Sequence, residues 1–106
     1  MSEKLRILVV EDNPADTDLI PEMLPASFQI ESVARLAAAL TRLESKGIDL
    51  VLLDLGLPDS QGLQTFHHLR HAAPDIPVIV LTGTDDHELG VAAVREGAQD
   101  YLVKGQ

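Results

Sequence analysis

Five side chains in this sequence could do chemistry together. Glu11 and Asp12 follow the apolar run Leu5-Arg6-Ile7-Leu8-Val9-Val10, and Asp54 ends Leu50-Val51-Leu52-Leu53. Thr82 ends Ile76-Pro77-Val78-Ile79-Val80-Leu81, and Lys104 follows Asp100-Tyr101-Leu102-Val103. Apolar runs of this kind suit parallel strands buried on both faces. Laid parallel, they gather three carboxylates, a hydroxyl and an ammonium at one edge of a sheet. Ligands of open parallel sheets bind at that carboxyl edge. An acid ending a buried strand needs partners, because an unpaired buried charge is costly. Clustered carboxylates repel one another unless a cation neutralises them. A carboxylate placed there can serve as a cation ligand or as a nucleophile. Taken singly, each residue has an ordinary reading. Asp54 could cap a helix or sit in a loop, and Glu11 and Asp12 could be loop acids favoured by a helix dipole. Thr82 could be a β-branched strand residue and Lys104 a solvated base.

The elements that must position these residues alternate along the chain. The first strand, about Leu5 to Val10, leads to Asn13 as an N-cap with Pro14 at the first helical position. That helix is expected to run to about Leu24 and bury Leu19, Ile20 and Met23. Pro21 inside it predicts a kink or an early end. Phe28 to Val33 reads as an edge strand, with Phe28, Ile30 and Ser32 alternating against Gln29, Glu31 and Val33. Leu36, Leu40 and Leu43 fall at helical spacing between Arg35 and Lys46, and Gly47 stops that helix. Asp49 to Asp54 is the central strand. Leu55 to Gln61 is a loop into a third helix, about Gly62 to Ala73, burying Leu63, Phe66 and Leu69. Asp85 with Glu88 looks like a capping pair for a weak helix to Glu96, with Gly90 inside it and an inner face mostly of Ala. Gly97 ends that helix, and Tyr101 to Val103 is the last strand. The reading is an α/β domain with a doubly wound parallel sheet of five strands.

Composition bounds the function. With 106 residues the chain suits one domain, and 45% hydrophobic residues allow a core. A net charge of −9 argues against direct nucleic-acid binding, which needs a basic face. The absence of Cys removes any disulfide framework or thiolate metal site and fits a cytoplasmic location. No apolar stretch approaches the ~20 residues of a membrane span, and Met1-Ser2-Glu3-Lys4 does not resemble a signal peptide.

With these residues in these places, nearly the whole chain resembles the receiver domain of two-component response regulators. The context Asp54-Leu55-Gly56-Leu57-Pro58 is similar to that family's acceptor loop. The resemblance implies the flavodoxin-like strand order 2-1-3-4-5. It also implies a fifth helix, absent here because the chain stops at Gln106, so residues 1–106 read as one receiver domain truncated at its C-terminus. Asp54 is then the phosphoacceptor, giving an aspartyl phosphate. Asp12, Asp54 and the Gly56 carbonyl would bind Mg²⁺ directly, with Glu11 acting through water; this hard, oxygen-seeking cation suits the set. Thr82 and Lys104 would stabilise the phosphoryl group, and Thr82 with Tyr101 would form the conformational switch. The implied donor is a sensor histidine kinase or phosphotransfer protein, and the implied output domain is fused or separate.

Two departures from the family stand out. Gly105 follows Lys104 where a cis-forming Pro is usual, and Gly56 offers no side chain to shield the acyl phosphate. His67 and His71, four apart on a helix, could form a metal pair, but solvated helix residues are the better reading. On this view the chain catalyses its own phosphorylation and dephosphorylation and is otherwise no enzyme. An alternative is a phosphorylation-independent interaction module on the same fold, which would tend to lose the acceptor, the acid pair or the Lys. A phosphatase with an aspartyl intermediate would want a second acid soon after Asp54, where Leu55 and Gly56 stand.

Overall fold

The computed structural model describes residues 5–15 and 27–104. Its strands are β1 (Leu5–Val10), β2 (Phe28–Val33), β3 (Leu50–Asp54), β4 (Gly56–Leu57), β5 (Ser60–Gln61), β6 (Val78–Thr82) and β7 (Asp100–Val103). Its helices, among the described residues, are α1 (Leu36–Glu44), α2 (Leu63–Ala72) and α3 (His87–Arg95). Five strands form a parallel sheet in the order β2-β1-β3-β6-β7. With the two-residue strands β4 and β5 left out of the count, this is the expected order 2-1-3-4-5.

The apolar runs form strands because both faces of the sheet are covered. Leu8, Val10, Val51, Leu53, Val78 and Val80 face a larger core cluster, joined by Leu36 and Ala39 of α1, Phe66 and Leu69 of α2 and Ala93 of α3. Ile7, Val9, Leu52 and Leu81 face a second cluster on the other side, against which Phe28, Ile30, Leu50 and Ile79 pack. Period-two alternation thus hides inside a continuous apolar string. Full burial of each such side chain contributes about 1.5–3 kcal/mol.

The edge position of β2 agrees with the sequence reading, and so does the alternation of its residues between the two faces. Ser32 is exposed, whereas Val33 is half-buried against the larger cluster. Phe28 and Ile30 pack on the second cluster and Val33 on the larger one, because an edge strand of a two-sided sheet has an apolar side on each face. Helix α1 begins one residue later than expected, after Arg35, and ends at Glu44. The expected Asp85–Glu88 capping pair does not form. Asp86 N–H closes a turn on the Gly83 carbonyl at 3.0 Å. The helix starts one residue later, with Asp86 at the N-cap and no side-chain cap. The expected loop Leu55 to Gln61 contains an antiparallel hairpin, pairing Gly56 with Gln61 and Leu57 with Ser60.

After β1, Asn13 Oδ1 accepts the Ala15 N–H at 3.0 Å, the bond of an N-cap, and Pro14 and Ala15 are helical. The residues expected to continue that helix, Leu19, Ile20, Pro21 and Met23 among them, lie outside the described residues, as does Gly105.

Candidate functional site

Strand register brings the five residues together. Val10 pairs with Leu53, so Glu11 stands beside Asp54. Asp54 pairs with Leu81, so Thr82 lies one step beyond it. Thr82 pairs with Val103, and Lys104 follows. The Lys104 N–H donates to the Thr82 carbonyl at 2.7 Å, which continues the ladder into the site. The result is a cleft of about 470 Å³ at the carboxyl edge, lined among others by Glu11, Asp12, Asp54, Gly56, Thr82 and Lys104.

Both oxygens of Asp54 are committed. Oδ1 accepts the Gly56 N–H at 2.9 Å, and Oδ2 accepts Lys104 Nζ at 3.0 Å. The same ammonium lies 3.3 Å from each oxygen of Glu11. Glu11 Oε1 also accepts the Asn13 N–H at 3.1 Å. Asp54 is 5% exposed and Glu11 3%, whereas Asp12 is exposed. Burial, then the hydrogen bond and charge of Asp54, push the Glu11 carboxyl up to about 8, against the opposing pull of the Asn13 N–H and Lys104. Burial works against the charge on Lys104, yet Asp54 and Glu11 outweigh it and hold the ammonium above lysine's ordinary value. These directions fit together: two acids share one ammonium, and a proton on Glu11 relieves the excess negative charge.

The donor set fits a divalent cation. Ligand oxygens of Glu11, Asp12 and Asp54 lie within 4.8 Å of one another. They are hard, two of the three acids are buried, and one ammonium leaves them under-neutralised. The fourth metal candidate, Gly56, lines the same cleft.

Thr82 is buried at 2% exposure, and its hydroxyl donates to the Leu102 carbonyl over a long 3.4 Å. Tyr101 is half-buried on β7. Its ring fills the space beside Gly90, where an added Cβ would lie 2.6 Å from Cγ of the ring. The glycine inside α3 is therefore a notch for Tyr101. The Tyr101 hydroxyl is 2.8 Å from His87 Nδ1, and the two rings meet edge to face.

His87 was missed as a partner of Tyr101, because nothing local in the sequence links positions 14 apart on different elements. Asp59 was missed for the same reason, and Ser60 was missed although its partner Thr65 is only five positions away. Asp59 bonds the start of α1, and Ser60 Oγ lies 2.7 Å from Thr65 Oγ1. His67 Nε2 sits 2.9 Å from a Glu96 carboxylate oxygen, and His71 is exposed, which supports the reading of helix surface residues.

A parallel sheet in this order, with acids and an amine at its carboxyl edge, defines the flavodoxin-like class whose ligands sit at that edge. The family profile described as the response regulator receiver domain matches residues 7–106, and the chain belongs to that family. Over 101 residues it is 41% identical to the swarming motility regulation protein RssB of Serratia marcescens, covering 94% of this chain and 46% of that protein. It is 38% identical to the transcriptional regulatory protein BasR of Escherichia coli K12, again over 94% of this chain and 46% of the relative. The chain thus spans just under half the length of these two curated relatives. Among solved structures, the receiver domain of NtrX from Brucella abortus superposes with a TM-score of 0.84 at 29% identity, covering 94% of this chain and 86% of that one. The signal receiver domain of a response regulator from Bacteroides fragilis gives 0.86 at 27% identity, covering 95% and 84%. Membership supports phosphoacceptor signalling as the broad role. Among the described residues, no helix is long and apolar enough to cross a membrane.

Proposed function

We propose that this chain is a phosphorylation-driven receiver in which Asp54 takes a phosphoryl group from the phosphohistidine of a sensor kinase or phosphotransfer protein. The observation that carries this reading is the setting of Asp54. It ends a buried strand, with one oxygen on a backbone N–H and the other on the Lys104 ammonium, at the wall of an open cleft. A carboxylate oxygen attacks phosphorus, the P–N bond of the phosphoimidazole breaks, and the ring nitrogen leaves with the bonding electrons and takes a proton. Lys104 already reaches Oδ2 and holds the charge of the transferred group as a point charge. Thr82 donates its hydroxyl to a phosphoryl oxygen in place of its long bond to Leu102. Glu11, Asp12, Asp54 and the Gly56 carbonyl are the groups that would hold Mg²⁺, which when bound neutralises charge on the phosphoryl oxygens.

The chain would act on itself, catalysing its own phosphorylation and hydrolysis without turning over an external metabolite. It would work in the cytoplasm, with its output in a fused or separate domain. Thr82 and Tyr101 would carry the change to the face formed by α3 and β7. The net charge of −9 argues against direct nucleic-acid binding.

Acetyl phosphate with Mg²⁺ tests the proposal. Mass spectrometry should find one phosphoryl group on Asp54, labile to base and hydroxylamine. Asp54→Asn keeps the shape and removes the nucleophile, so labelling should vanish while the fold persists. Phosphate on the Asn variant, or none on the wild-type chain, defeats the reading.

A further inference from the structure

The hairpin that follows Asp54 is tied down at three places. The Gly62 N–H donates to the Leu55 carbonyl at 2.7 Å and closes the loop. Gly62 does this at φ +79°, a backbone conformation that suits glycine. Ser60 Oγ bonds Thr65 Oγ1, tying β5 to α2. At the tip, Asp59 reaches across to another element. Its Oδ1 accepts the Leu36 N–H at 2.9 Å, and its Oδ2 accepts the Ala37 N–H at 3.0 Å. These are the first two N–H groups of α1, which lack partners within the helix. The residue at the local N-cap, Arg35, provides no side-chain cap. The helix is therefore capped from a position 22 residues away, by the loop that carries Gly56. The two backbone N–H groups hold the Asp59 carboxyl below its ordinary range.

Gly56 belongs to this hairpin and donates its N–H to Asp54 Oδ1. A rigid chain of contacts then runs from the start of α1 through Asp59 and the β4–β5 pair to the acceptor carboxylate. We infer that Asp59 is a positioning residue for phosphoryl acceptance, because its bidentate grip on the N-terminus of α1 fixes the hairpin whose Gly56 N–H orients the Asp54 carboxylate. This rests on the proposed role of Asp54. Losing the grip leaves the nucleophile in place and widens the range of orientations it samples, which lowers the rate of the chemical step more than donor binding.

A purely structural cap would give the same loss of stability, so the test must separate the two. Arg35 has the extended backbone of an N-cap residue, φ −141° and ψ 152°. A short oxygen-bearing side chain there can cap α1 locally without touching the hairpin. The experiment measures Asp54 phosphorylation by acetyl phosphate with Mg²⁺, together with thermal stability, in four forms of the chain. These are wild type, Asp59→Ala, Asp59→Asn, and Asp59→Ala combined with Arg35→Asp. Asp59→Ala should slow the maximal rate roughly tenfold, the scale seen when an outer-shell group that orients a site is removed. The half-saturating donor concentration should stay within error. Asp59→Asn, which keeps one acceptor oxygen, should recover much of the rate. The double variant should regain stability and remain slow. If it regains the rate along with stability, or if Asp59→Ala phosphorylates like wild type, the positioning role is overturned. A wild-type chain that takes no phosphate on Asp54 overturns the acceptor reading itself, and is seen before any variant is compared.

Discussion

Gly90 offers a sharp test of how α3 and β7 fit. A glycine inside an exposed helix usually costs stability, and replacing it with alanine should add about 0.8–1.0 kcal/mol. Here the structure opposes that gain. A Cβ at position 90 would overlap Cδ2 of the Tyr101 ring and lie 2.6 Å from Cγ and 3.0 Å from Cε2. Cγ and Cδ2 are close to the ring's attachment, so only a rotation of the whole side chain relieves the contact. That rotation breaks the 2.8 Å bond between the Tyr101 hydroxyl and His87. Overpacking of this kind costs about 1–3 kcal/mol. Set against the propensity gain, Gly90→Ala should destabilise the chain by about 1 kcal/mol. In a Tyr101→Ala background the obstacle is gone, and the same change should stabilise by about 1 kcal/mol. The coupling between the two positions is then about 2 kcal/mol in a double-mutant cycle, read from urea melts with a common m-value. If Gly90→Ala stabilises the chain equally with Tyr101 present and in the Tyr101→Ala background, the notch does not constrain the ring and the reasoning fails.

Two further predictions concern the acid cluster. The Glu11 carboxyl rises from an ordinary 4.5 to about 8, so between those values the folded chain keeps a proton that the unfolded chain has released. Stability should therefore fall by a few kcal/mol, in order of magnitude, as pH rises through that window. The Lys104 contribution is intact there and is lost only at strongly alkaline pH. Urea melts at pH 5 and pH 8 read the slope; Glu11→Gln should flatten it, and an equal slope in that variant would contradict the assignment. For the cation, Mg²⁺ should perturb amide signals around Glu11, Asp12 and Asp54, more tightly at higher pH because a cation beside Glu11 favours its ionised form. Asp12→Ala should abolish that response without unfolding the chain, since Asp12 is exposed. An unchanged titration would remove Asp12 from the site.

Much of the framework was legible in the sequence because it rests on local pattern. Continuous apolar runs identified the strands, and their polar ends named Glu11, Asp54, Thr82 and Lys104 as one edge. That inference works because parallel strands place all their carboxyl ends at one edge, while the order that makes particular ends neighbours came from the family resemblance. The caps were less legible. Asp85 and Glu88 have the spacing of a capping pair, yet the turn closed by Asp86 on Gly83 shifts the helix start by one residue. The spacing of acids marks a possible cap but does not show where the preceding turn ends, and that turn decides which residue stands at the N-cap.

What the sequence by itself determined is the order of strands and helices, the depth of the core and the set of polar groups at the carboxyl edge, since periodicity and burial follow from neighbouring residues. The tertiary structure alone decided how those groups are held. It gave Lys104 to Glu11 as well as Asp54, seated Tyr101 on Gly90 against His87, and used Asp59 to cap a helix 22 residues earlier. Such bonds join residues far apart in the chain. Their strength depends on distance and angle within a few tenths of an ångström, and those are set only once the sheet and helices have packed.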